Sequence, residues 1–147
     1  MIAVVQRVRE ASVTVEADGY RAAIGRGLCV LLAVERGDDE AAAEWIARKL
    51  ANLRIFPDEH HNMNRSVQDI GGEILLISQF TLAGDCARGN RPSFDAAAEP
   101  EAGRALYERV GQQLRAEHGL PVACGIFGAM MLVGLVNEGP VTVIVRR

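Results

Sequence analysis

The chain predicts a single α+β domain in which two helices cover a curved, mostly antiparallel β-sheet. Three observations carry that reading. Strand-like segments outnumber helical ones, their hairpin-like spacing favours antiparallel pairing, and only two stretches repeat apolar residues at helical spacing. The 147 residues suit one domain spanning 1–147. With 49% hydrophobic and 24% charged residues the chain has a globular rather than a disordered balance.

Residues 2–9 and 11–16 alternate as half-buried strands, with Val13 and Val15 on one face and Ser12, Thr14 and Glu16 on the other. Asp18-Gly19 supplies turn chemistry before a short strand at Tyr20–Ile24. Beyond Gly25-Arg26-Gly27, the continuous apolar run Leu28–Val34 reads as a central strand covered on both faces. Asp38 or Asp39 can cap a helix running to about Leu53, with Ile46, Leu50 and Leu53 on one stripe and Trp45 beside it. Pro57, Asn62, Asn64, Gly71 and Gly72 make 56–72 a loop, and Glu73–Phe80 returns to strand. The Gly, Pro, Asp and Ala content of 83–99 predicts a long ordered loop, a place where function often sits.

A second helix starts near Pro100, with Ala102, Leu106, Val110 and Leu114 as its expected buried row. Gly103 and Gly111 weaken it by about 1 kcal/mol each relative to Ala, so packing must hold it. Gly119 and Pro121 end it, and strands follow at 122–126, 129–136 and 141–146.

Composition narrows the function. A net charge of −3 gives no general basis for nucleic-acid binding, so any RNA contact must be local. Arg88, Arg91, Arg146 and Arg147 are its candidates, though each also reads as a solvated surface arginine. Three cysteines, Cys29, Cys86 and Cys124, form no Cys-x-x-Cys pair, which argues against a disulfide framework or zinc knuckle. Cys29 and Cys124 lie in apolar surroundings and read as buried, inert thiols. No apolar run approaches the ~20 residues of a membrane span. The first residues lack secretory features, so a cytoplasmic location is expected.

Reactive side chains are scarce. There is no Gly-x-Ser-x-Gly elbow. His60 and His61 lie in a polar loop, and His118 ends the second helix near its negative pole. None shows metal-ligand spacing, so neither a metal nor any other cofactor is expected. Asp38-Asp39-Glu40 fits a helix start better than a catalytic carboxylate pair. Thr81 follows an apolar strand, but a threonine nucleophile needs an adjacent base and none accompanies it. A supporting hydrogen bond is its preferred role.

Two distant segments then stand out: Ser78-Gln79-Phe80-Thr81-Leu82, and Asn137-Glu138-Gly139-Pro140-Val141-Thr142 near the end. With Met1–Val8, Arg88-Gly89-Asn90-Arg91-Pro92-Ser93-Phe94 and Phe127-Gly128-Ala129, they resemble in order the motifs of the D-aminoacyl-tRNA deacylases. The resemblance implies a barrel-like β structure with outer helices, and a homodimer. It implies hydrolysis of the ester in D-aminoacyl-tRNA, and of glycine carried on tRNA. In the resembled family Gly139-Pro140 would be a Gly-cisPro element entering the partner's pocket, where it would reject L side chains.

An aminoacyl ester is already activated by its ammonium group, so positioning, a water and oxyanion donors are enough. The amides around Phe80 and Thr81 are assigned as those donors, and the resemblance implies that the terminal adenosine's 2′-hydroxyl helps activate the water. Ser78 and Gln79 would border the aminoacyl group. Phe80 either packs near the adenine or lies in the core. Arg7 would orient the Gly139-Pro140 loop, Asn137 would hold it with turn hydrogen bonds, and Phe127 and Met131 would line the site. Two departures are visible: Met130 stands where many relatives have Asp, removing a carboxylate, and Glu138 replaces a frequent Asp. Open alternatives are a non-catalytic RNA-binding module and a general esterase using Thr81. An editing domain like that appended to an archaeal threonyl-tRNA synthetase is disfavoured, because nothing resembles a synthetase body.

Overall fold

The computed structural model describes residues 1–147. Six strands, β1 (Ile2–Val15), β2 (Tyr20–Ile24), β3 (Gly27–Ala33), β4 (Glu73–Ser78), β5 (Val122–Cys124) and β6 (Leu132–Arg146), form one nearly closed, barrel-like sheet. Helices α1 (Glu40–Asn52) and α2 (Pro100–Ala116) pack together on its outside.

The sheet is mixed, which corrects the mostly antiparallel expectation. β1 pairs antiparallel with β2, β3 and β6, whereas β3–β4 and β4–β5 are parallel. The cause is the crossover: a helix lies between β3 and β4 and another between β4 and β5, so each following strand runs in the same direction. Residues 2–9 and 11–16 likewise form one strand rather than two. Register shifts against β6 fall between Gln6 and Val8 and between Val8 and Glu10. Such irregularities bend a strand without ending it, and here they carry β1 from one core to the other. The expected strands 129–136 and 141–146 also merge, into β6, which starts only at Leu132, while β4 stops at Ser78 and Phe80–Ala83 forms a 3₁₀ turn.

Two cores result. Leu28, Val30, Leu32, Ile74 and Leu76 face the helices. Cys29, Leu75 and Ile77 face the inside of the curve with Val8, Ala11 and Val13. β3 and β4 are therefore covered on both faces, as their unbroken apolar runs predict. Burial pushes the Cys29 thiol up to about 11, consistent with an inert role, whereas Cys124 is only half-buried and Cys86 is exposed.

In α1, the Asp39 carboxylate accepts the Ala42 N–H at 2.9 Å and is the cap. Asp38 instead accepts from the Met1 ammonium at 2.7 Å and the Glu35 N–H at 2.6 Å. Ile46 and Leu50 are buried, while Leu53 lies one residue past the helix and is half-buried like Trp45. In α2 the expected row is displaced: Ala102 is exposed and Leu106 half-buried, and the buried face is Gly103, Tyr107, Val110, Gly111, Gln113 and Leu114. A strict four-residue row drifts about 40° per step around a helix, so its first members rotate out of the core.

Candidate functional site

β4 delivers Ser78 and Gln79 to a ridge between two cavities. One, of about 400 Å³, extends under the start of α2 and is lined by Leu32, Val34, Tyr107 and Phe127 among others. The other, of about 460 Å³, runs past Thr81 to Ala129, Met131 and Val133. Ser78, Gln79, Phe80, Phe127 and Gly128 border both. The structure thus brings together all four residues of Ser78-Gln79-Phe80-Thr81 with the Phe127–Met131 segment.

The ridge has a local cause. β4 runs parallel to β3 as far as Ser78 opposite Leu32, and the Gln79 N–H then donates to the Leu32 carbonyl at 2.8 Å. The chain turns at once into the Phe80–Ala83 3₁₀ turn, whose first amides have no carbonyl within that turn to accept them. The Gln79 amide donates to the Thr81 hydroxyl, which has no carboxylate or imidazole partner. Thr81 therefore lacks a base. Phe80 is 57% exposed, which removes the core alternative. Its ring meets Phe94 edge-on at 5.2 Å, and the Arg104 guanidinium lies 5.2 Å from the centre of the Phe127 ring. Tyr107, which sequence reasoning passed over, donates its buried hydroxyl to the Leu76 carbonyl at 2.8 Å and walls the first cavity. Its signal was there: it is the aromatic residue on the face that Gly103, Val110 and Gly111 share.

Gly139 and Pro140 line neither cavity. They lie in the four-residue segment Glu138–Val141, which bulges out where β6 passes from Thr142 opposite Gln6 to Asn137 opposite Val8, leaving Arg7 alone across from it. The Gly139–Pro140 peptide is cis, and Gly139 has φ +130°, a conformation L side chains rarely adopt. Arg7 is buried at 8% exposure and its guanidinium spans three carbonyls. Nε donates to Glu138 at 3.0 Å, and Nη1 donates to Ile55 at 2.5 Å and more weakly to Asn62 at 3.4 Å. Asn137 is exposed, and its side chain makes no hydrogen bond within the chain, contrary to the expected turn contact. Six residues of β6 lie between Leu132 and Gly139, a span of at most roughly 23 Å at the strand rise.

Other candidates lie elsewhere. His60 and His61 sit in a loop whose amides donate to the Asp58 carboxylate, at 2.8 and 2.7 Å. That carboxyl is held down at about 2 by the Asn64 amide first and by those two N–H groups. Arg88 and Arg91 are exposed on the 83–99 loop, Arg146 is exposed at the end of β6, and the Arg147 guanidinium lies over Trp45. No three His, Cys, Asp or Glu side chains converge in a metal-holding group. No helix is long and apolar enough to cross a membrane.

The family model described as D-Tyr-tRNA(Tyr) deacylase matches residues 4–146. The chain belongs to that family. A D-aminoacyl-tRNA deacylase of Pelobacter propionicus is 56% identical over 147 residues, covering 100% of both chains. One of Geobacter sulfurreducens is 57% identical over 145 residues, covering 98% of this chain and 93% of its own. A solved structure described as a c-Myc DNA Unwinding Element Binding Protein superposes with a TM-score of 0.91 at 43% identity, covering 100% of this chain and 99% of its own. The fold is thus that of a deacylase-family member.

Proposed function

We propose that this chain hydrolyses the ester of D-aminoacyl-tRNA, and that two copies associate so that each lends its Gly139–Pro140 loop to the other's pocket. Full-length similarity to named deacylases supports the activity. The observation that carries the mechanism is the placement of the loop: it bulges from β6 and lines neither cavity of its own chain, while Arg7 ties it at the Glu138 carbonyl. β6 pairs only with β1, and Leu132, Val136 and Ile144 on it are 58%, 46% and 60% exposed. A free strand edge with apolar side chains suits a second copy.

In this reading the two adjoining cavities take the aminoacyl group and the terminal adenosine. The amides at Phe80 and Thr81 face the developing oxyanion, Ser78 and Gln79 border the ester, and the adenosine 2′-hydroxyl assists the attacking water. Phe127 and Met131 shape the pocket, and Arg7 orients the loop through Glu138. The loop blocks an L side chain, while a D side chain points away from it. Selection is then indifferent to the identity of the D side chain, and glycine, which has none, passes. A cytoplasmic location follows from a tRNA substrate.

One assay tests this reading: matched D- and L-aminoacyl-tRNA, glycyl-tRNA and a small ester incubated with the protein. Hydrolysis of the D and glycyl forms alone is expected. Binding without turnover would favour a sensor of tRNA ends, and turnover of the small ester would favour a general esterase.

A further inference from the structure

Glu138, the residue immediately before Gly139, is gripped twice. Its main-chain carbonyl accepts from Arg7 Nε at 3.0 Å, and its carboxylate accepts from Arg26 Nε at 3.3 Å. The same carboxylate oxygen lies 3.7 Å from Arg7 Nε. Neither arginine is free to drift with the loop. Arg7 is tied to the Ile55 carbonyl. Arg26 sits in the turn between β2 and β3, where its own carbonyl accepts the Glu73 N–H at 3.2 Å. Its guanidinium lies 5.7 Å from the centre of the ring of fully buried Phe56. The following residue admits no side chain, because a Cβ on Gly27 would stand 1.8 Å from the Glu73 carbonyl oxygen. The backbone that carries Arg26 is thereby pinned between β1 and β4.

We infer that Arg26 is a positioning residue for the Gly139–Pro140 loop, acting through the Glu138 carboxylate. The inference rests on the reading of that loop as the element that rejects L side chains. One contact fixes a point on a segment but leaves it free to pivot. A second, from a different wall of the protein and to the side chain rather than the main chain, fixes its direction. Direction is what a steric filter requires, since a wall that tilts admits the wrong enantiomer. Arg26 and Glu138 are partly solvated, at 46% and 34% side-chain exposure, so the effect is modest and weakens with salt.

The experiment measures kcat/KM on D- and L-aminoacyl-tRNA for the full chain and for Arg26→Ala, Arg26→Lys, Glu138→Gln and the double variant Arg26→Ala/Glu138→Gln. Arg26→Ala and Glu138→Gln are each expected to raise the L:D ratio about fivefold, and the double variant no further. Arg26→Lys, which keeps the charge, retains most of the selectivity, and about 1 M salt moves the unaltered protein toward the Arg26→Ala ratio. If Arg26→Ala lowers both rates together with melting temperature and leaves the ratio fixed, the residue is structural and the inference is overturned. Gly139→Ala separates the two levels. A raised ratio there with none in Arg26→Ala overturns the inference alone, whereas no change in either overturns the filter reading with it.

Discussion

Replacing Arg7 by Met removes the guanidinium while keeping much of the side-chain bulk. Two good charge-assisted hydrogen bonds disappear, to Glu138 and Ile55, together with the weaker one to Asn62. Bonds of this kind contribute about 1.5–3 kcal/mol each. Relief from burying a cation offsets part of that sum, leaving a net loss of about 3 kcal/mol. For a domain of this size each kcal/mol shifts Tm by about 2–4 °C, so a fall of about 6–12 °C is expected. Circular dichroism melts supply that number, and deacylation of D- and L-aminoacyl-tRNA supplies the functional one, in which L turnover rises relative to D as the loop loosens. Arg7→Lys adds a geometric check. An ammonium can satisfy one carbonyl but cannot span three with a planar fork, so it falls between the other two proteins. A melting temperature within about 2 °C of the parent for Arg7→Met, or full selectivity in Arg7→Lys, would refute this reasoning.

Three further outcomes follow from other sites. Thr81→Ala loses only the hydrogen bond from Gln79 and should keep most of its deacylation rate in single-turnover assays; a collapse with intact tRNA binding would reinstate a threonine nucleophile. Gln113 is 3% exposed and both atoms of its side-chain amide lack partners, so Gln113→Met should stabilise by about 1 kcal/mol in urea titrations. The Cys29 thiol has its pKa raised by burial to about 11. The folded state holds that proton more tightly than the unfolded chain, so this contribution to stability is full below the ordinary thiol range and is lost as pH rises toward 11. With thiol reagents near pH 8, exposed Cys86 should react at once and Cys29 only after unfolding.

Much of this architecture is legible from local pattern. The double-sided burial of β3 follows from an apolar run without polar interruptions, and the α1 cap from an aspartate before the first turn. Strand direction was not legible, because hairpin-like spacing says nothing about a helix that carries the chain back across the sheet. The α2 face was missed for a related reason: a row at every fourth residue tracks one face only briefly. At the site, the Ser78–Thr81 and Phe127 segments meet because parallel strands β4 and β5 end side by side, which no periodicity reveals. Arg7 reads as a surface strand residue in sequence, yet it is buried because the β6 bulge and the 55–62 loop close over it. Arg26 gave no signal at all, since its meaning depends on reaching Glu138 across the fold.

The central claim is that the loop of one copy serves the pocket of another. A photo-reactive residue in place of Met130, which is 90% exposed at the pocket rim, tests it directly. Mass spectrometry of the irradiated protein should find adducts joining position 130 to residues 138–141 of a second copy. Adducts confined to one chain, or to another surface of the second copy, would contradict the account.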